Sequence, residues 1–341
     1  ALVVMRQDAQ GEQALLFKPA GQGLGHGHFD KLTWQFYDNG AEIVSDYGAA
    51  RFLNVEAKFG GRYLPENKTY AKQTVAHNTV VVDEQSHFNA NTQVGNENHP
   101  EFLFFETNKQ GTVSSAKIDT VYEDVELLRT LALVKLQESG KPIAFDIFSV
   151  KSSNAHQYDL PLHYQGQLID SNFERGAFVK QLSALGENNG YQHLWLTAKS
   201  TPKNGLARVT WLNDNGRFYS HTSITDGKTQ ALFTRIGAND PHFNLRNEAA
   251  FIYRKTDTKA HRFVSVLEPH GEYNPSKEFT LSAQSSVSGL SYQRDGNLDL
   301  VELTLTNNNR YLLAINNQEA RSAKFSYKNT DYQFDGRFLL I

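Results

Sequence analysis

Strand-like runs recur from one end of the chain to the other, and that pattern constrains the fold more than any other feature. ALVVMR, LTWQFYDNGAEIVSDYG, NTVVVD, LLRTLALVKL, PIAFDIFSV and RYLLAINN alternate apolar and polar residues or are rich in β-branched ones. Turn signals punctuate them: DNG at 38–40, NDNG at 213–216, RDGN at 294–297 and NNN at 307–309. Few segments hold a helical period for three turns, and no internal repeat is visible. Many strands joined by short turns in 341 residues predict an all-β chain of stacked antiparallel sheets, a large β-sandwich. A hydrophobic content of 39%, with 12% aromatic, supplies a core with rings in it. The segment LEPHGEYNPSKE, 267–278, predicts a main sandwich over 1–268 and a smaller terminal sheet region over 269–341, either separate or part of the same domain.

Charge narrows the partners. With 34 basic against 37 acidic side chains and a formal net charge of −3, nothing resembles a nucleic-acid or membrane surface, which needs clustered Lys and Arg. A polyanionic substrate would have to meet a local basic spot. There are no cysteines, so disulfides are excluded and any metal must use His, Asp or Glu. No apolar run reaches the length of a bilayer span. The sequence opens at Ala1 with no signal peptide, and the expectation is a processed chain or a piece of something longer.

One segment breaks the strand rhythm. From Gly48 to Ala76 there is no clean alternation, but Tyr and Phe content argues for an ordered loop, with a helical turn in it. Just before it, DNG predicts a hairpin pairing 31–37 with 41–47. His28 and Asp46 then fall at the same open end, and His77 stands where irregular chain enters NTVVVD. Two imidazoles and a carboxylate at strand ends suit zinc, with water as the fourth ligand, and not the hard ions magnesium or calcium. The plainer alternative is a polar turn, since 12 histidines make such sets easy to find. His26, in GHGHFDKL, points away from His28 wherever the chain is extended, either toward a cleft or into solvent. Tyr63, in GGRYLPEN, is either a packed ring or a group that takes or gives a proton, tuned by Arg62 and Arg51. His163 reads as a hydrogen-bonded core group, while His242, Arg246 and His270 could line a surface cleft without any spacing argument. Serine-hydrolase, zincin, P-loop and Rossmann fingerprints are absent from the sequence.

Taken together, GHGHFDKLTWQFYDNGAEIVSDYGAARF, GGRYLPENKTYAKQTVAHNTVVVD and, more weakly, FVSVLEPHGEYN resemble the heparinase II/III-like polysaccharide lyases, most of all the oligoalginate lyases of polysaccharide lyase family 17. The specific blocks cover residues 25–83. The resemblance implies a structural zinc on His28, Asp46 and His77, an active-site role for His26, Tyr63 as the catalytic acid, and Arg51 at the carboxylate end of the site. It implies exo-acting β-elimination on acidic alginate oligosaccharides, in a periplasmic or secreted bacterial enzyme that could be a homodimer. It also implies an N-terminal α-helical toroid, absent here, that supplies a tyrosine base and an Asn-His pair, so this chain would hold half of the active site. Two other readings stay open: a non-catalytic carbohydrate-binding sandwich, and a lyase acting on glycosaminoglycans such as heparin. The binding reading would more often present exposed Trp, whereas Trp34, Trp195 and Trp211 all sit in strand-like runs.

Overall fold

The computed structural model describes residues 1–7, 12–50, 63–137 and 139–341. Its spine is a pair of strands, Ile143–Tyr164 and Ala249–His270, each 22 residues long and antiparallel to one another from Ala249↔Tyr164 to Leu267↔Ala144. The register slips between Lys255 and Ala260, where both strands turn from one sheet into another. Ile143–Ser152 pairs with Val125–Val134, which continues through Gly111–Ile118 to the edge strand Glu101–Thr107. The other half of the same strand pairs with Val81–Val82 and, at Tyr164, with Val44. Ala249–His270 divides likewise, between Gln230–Ile236 and Phe218–Ile224. Two antiparallel sheets, both sharing these strands, therefore lie face to face as the predicted sandwich.

Alternation along each strand sets the layers. Leu131 and Leu133 join the core between the sheets, with Phe17, Trp34, Phe36, Phe148 and Trp211. Their neighbours Ala132 and Val134 face outward, under a sheet of four strands: Val287–Asp295, Leu298–Leu305, Arg310–Asn316 and Phe338–Leu340. On the opposite outer face, Leu194, Leu232, Ile236 and Ile252 lie beneath Tyr47, Leu64, Tyr70 and Val75 from the irregular loop. Strands buried on both faces explain the near-continuous apolar run LLRTLALVKL. The long strand runs on to His270, a small hairpin Glu272–Asn274/Phe279–Leu281 follows, and the terminal sheet starts at Val287.

The DNG hairpin forms with Thr33–Asp38 and Ala41–Val44, shorter than the predicted 31–37/41–47. Asn39 and Gly40 both have positive φ, +51° and +75°, as a two-residue type I′ turn requires. The loop contains a helical turn at Asn67–Ala71 and another at Thr74–Ala76. Trp34 and Trp211 are buried in the core. His163 is a core group, donating from Nε2 to the Val75 carbonyl over 2.8 Å. His270 overturns the cleft expectation: it is buried, donating from Nδ1 to the Ser282 carbonyl and accepting at Nε2 from Ser220, at 2.9 and 2.8 Å.

A buried arginine ties sheet to loops. Arg129, 1% exposed, donates to both oxygens of Asp146 (2.9 and 2.6 Å), to the Leu32 carbonyl (2.8 Å) and to the Asn78 carbonyl. Its guanidinium lies 4.6 Å from the ring centroid of Phe148 and 5.9 Å from that of Trp34. Removing one partner of such a pair strands the other charge, at a cost of about 3–5 kcal/mol. Arg129→Met is therefore expected to lose about that much in urea unfolding, and Arg129→Met/Asp146→Leu to recover part of it. A single variant within about 1 kcal/mol of wild type would remove the clamp from this role.

His221, stacked on Tyr253 at 5.8 Å, is held neutral: burial, then the Arg129 charge, push its pKa down to about 3. The unfolded chain takes up that proton near pH ~6.5 and the folded chain does not, so stability falls as pH drops from there toward about 3. The expected slope is about 1.4 kcal/mol per pH unit for this one group. His221→Phe should flatten the acid limb by that amount in unfolding titrations between pH ~6 and ~4; an unchanged slope would contradict the assignment.

Candidate metal centre and active-site rim

The short block His77–Thr79 organises the site, because all three residues are buried and each ties down a different segment. The Asn78 side chain donates to the carbonyls of Trp34 (2.9 Å) and Ser45 (2.7 Å) and accepts from the His163 amide (2.7 Å). Its own amide donates to Thr33 Oγ1 at 3.1 Å, and Thr79 Oγ1 donates to the Lys31 carbonyl at 2.6 Å. One asparagine thus fixes where both hairpin strands begin and end, which sets Asp46 and the 28–32 turn against His77.

Asp30, Asp46 and His77 converge there, each presenting one candidate ligand atom within 4.8 Å of the others. His77 Nδ1 contacts Asp46 Oδ1, while His77 Nε2 is buried without a hydrogen-bond partner among the described residues. A buried imidazole clustered with two carboxylates, and with one ring nitrogen left unbonded, fits a metal ligand. Lys18 Nζ contacts the buried Asp30 carboxylate. Burial alone would raise Asp30, but the His77 and Lys18 charges hold it below the usual carboxylate range. Burial likewise works against a charged His77, and the Asp46 carboxylate more than offsets it, raising the imidazole above its ordinary value.

The predicted set named His28, where the tight three-donor set has Asp30. His28 stays close, its ring centroid 5.1 Å from that of His77, and burial followed by the His77 charge lowers its pKa to about 4. A neutral imidazole next to the acidic pair is still chemically suited to a ligand. Asp30 was visible in GHGHFDKL, yet nothing in its spacing distinguished it from a turn acid. Only the turn through Leu32, with φ +63°, brings it inward.

The alternation expected at His26 and His28 is not the geometry found. Leu24–His26 is a 3-10 turn and not extended chain, and it leaves His26 exposed while His28 is half-buried. Lys72 Nζ donates to the Gly25 carbonyl at 2.6 Å, joining that turn to the loop bearing Tyr63. Tyr63 is 81% exposed. The next residue, Leu64, is buried with Tyr47 and Tyr70, so the loop is anchored directly beside the exposed ring. Thr69 Oγ1 donates to His193 Nε2 at 2.9 Å, and His193 Nδ1 donates to the Ala238 carbonyl at 2.9 Å. Arg51 and Arg62 lie outside the described residues. His242 is exposed, and Arg246 is half-buried over Tyr47 with its Nε donating to Glu248 at 2.6 Å. His26, Tyr63 and the metal-type cluster thus occupy connected loops.

Comparisons with known proteins agree with this architecture. Over 325 residues the chain is 45% identical to an alginate lyase of Stenotrophomonas maltophilia, covering 95% of this chain and 44% of that protein. Over 311 residues it is 44% identical to an exo-oligoalginate lyase of Saccharophagus degradans, covering 90% and 42%. The chain spans less than half the length of these relatives. Among solved structures, heparan sulfate lyase HepC from Pedobacter heparinus superposes with a TM-score of 0.60 at 13% identity, covering 94% of this chain and 42% of that one. The heparinase III-BT4657 gene product gives 0.59 at 12% identity, with 93% and 41% covered. These two share the fold. The family described as heparinase II/III-like, C-terminal, matches residues 2–282, and the chain belongs to it.

Proposed function

We propose that this chain is the sandwich half of an exo-acting alginate-oligosaccharide lyase. The observation that carries the reading is identity of 44–45% over at least nine-tenths of the chain to proteins named alginate lyase and exo-oligoalginate lyase. An N-terminal α-helical toroid would supply the other half, as the greater length of those relatives suggests. An acidic polysaccharide substrate supports action in the periplasm or outside the cell.

The chemistry is β-elimination. A base takes the hydrogen from C5 of a uronate, the electron pair becomes the C4–C5 double bond, and the C4–O bond breaks. Tyr63, exposed on its anchored loop, gives its hydroxyl proton to the departing oxygen. His26, on the adjoining turn, faces the cleft and helps neutralise the substrate carboxylate, as does Arg51. The base belongs to the missing half, so this chain alone is expected to be inactive. Absorbance of the unsaturated uronate product, followed with alginate and then with heparin, tests the substrate class. Product from heparin alone would replace alginate with a glycosaminoglycan.

The metal is zinc in this proposal, held by Asp46 and His77 with His28 or Asp30 completing the set. Its part is structural: it pins the hairpin end to the block that follows the Tyr63 loop. Elemental analysis of chelator-free protein should give about one zinc per chain, with ligand distances of about 2.0–2.2 Å by X-ray absorption. His77→Ala should lose metal and lower Tm; His28→Ala and Asp30→Asn, compared side by side, identify the third ligand. Protein that is metal-free yet equally heat-stable would sink the zinc.

A positioned acid contributes about 10²–10⁴ in rate. In the complete enzyme, Tyr63→Phe should lose at least that much kcat with little change in KM, because the ring remains. His26→Ala should keep its zinc and lose most turnover. Near-normal kcat in Tyr63→Phe, or full activity from this chain by itself, would overturn the division of labour.

A further inference from the structure

A third loop joins this rim. Residues 240–246, DPHFNLR, form a tight turn: the Phe243 amide donates to the Asp240 carbonyl at 3.2 Å, and the Asp240 carboxylate accepts from the amides of Asn244 (3.0 Å) and Leu245 (2.8 Å). It is fastened on two sides. Buried Asn244 donates to Glu66 at 2.8 Å, three residues beyond Tyr63, and Leu245 packs in one apolar cluster with Tyr47 and Leu64. The Arg246 amide donates to the Tyr47 hydroxyl at 2.9 Å, and the Arg246 guanidinium sits 4.2 Å from that ring's centroid; Tyr47 directly follows Asp46. The loop is therefore locked to the two segments carrying the proposed acid and the candidate metal ligand.

At its tip this rigid loop holds Phe243, 66% exposed, with φ +55°. Both features work against stability. A left-handed backbone is unfavourable for a bulky residue, and Asn or Gly would adopt it with less strain. An exposed phenyl ring gains little from burial. Packing gives no reason for this side chain, whereas strained residues on over-determined loops cluster at ligand sites. His242, exposed beside it, adds polar character suited to a sugar, while Arg246 is paired with Glu248 and holds the loop on Tyr47.

We propose that Phe243 is a stacking platform at the rim of the site, its ring face receiving the apolar face of one uronate ring of the bound chain. This rests on the lyase reading above. Phe243 is a positioning residue and takes no part in proton transfer.

In the complete protein with an alginate trisaccharide, Phe243→Ala should raise KM about 3- to 10-fold with kcat near wild type. Phe243→Trp should restore KM. Phe243→Gly should match Ala in KM while its Tm rises, because the left-handed strain is relieved. Saturation-transfer NMR with the same trisaccharide should show transfer from the protein to sugar ring protons, much reduced in Phe243→Ala. Elimination with KM and transfer unchanged in Phe243→Ala would overturn the platform and leave the lyase reading intact. No elimination, together with Phe243-dependent transfer, would overturn the lyase reading and leave the platform. Neither elimination nor transfer would overturn both.

Discussion

A single buried cation holds the layers in register. Arg129 stands on a central strand, spends two of its donors on Asp146 of the neighbouring strand, and aims two more at the carbonyls of Leu32 and Asn78. Those carbonyls belong to the two segments that carry Asp30 and His77. A charge out of water must be paired and fully hydrogen-bonded, so its geometry tolerates little drift. The sheet beneath therefore dictates where the loops above may sit. Asn78 completes the arrangement by fixing both strands of the hairpin.

The site follows from this as a matter of placement. The hairpin end, the 28–32 turn and the His77 block meet because the same two side chains, Arg129 and Asn78, bond to all of them. Outside that rigid centre, the exposed groups His26, Tyr63 and Phe243 each stand close in sequence to a buried residue, Gln22, Leu64 and Asn244 in turn. Under the proposed function, such a division suits a cleft whose second wall comes from another domain, the exposed groups open to substrate and their supports dry.

Much of this was legible in the sequence where the determinants are local. DNG specifies its own turn through two positive-φ positions, so the hairpin and the shared end of His28 and Asp46 could be read directly. His77, in the metal-type cluster, was reachable through the NTVVVD block that follows it. Asp30 was not, because its inward turn depends on Leu32 and on Arg129, 97 residues further along. The Asn78 knot was equally hidden, its partners lying 33 to 85 residues away. His270 misled because a loop-like context, EPHG, gives no sign that the strand runs through it. The packing of the terminal sheet against the outer face was implicit only in LLRTLALVKL, whose lack of alternation means burial on both sides.

The two double-length strands carry a consequence for how the chain acquires its shape. Each belongs to both sheets, so neither sheet can close before the pair has formed, and their matched residues are separated by most of the intervening chain, from Tyr164 to Ala249 at the nearest. Loop-closure entropy must be met before those contacts reward it, which places this architecture among slow, high-contact-order folders. On the ribosome, a nascent chain has no complete sandwich until His270 has emerged. Until then its long apolar strands are unpaired edges, the condition in which β-rich intermediates associate with one another or with chaperones.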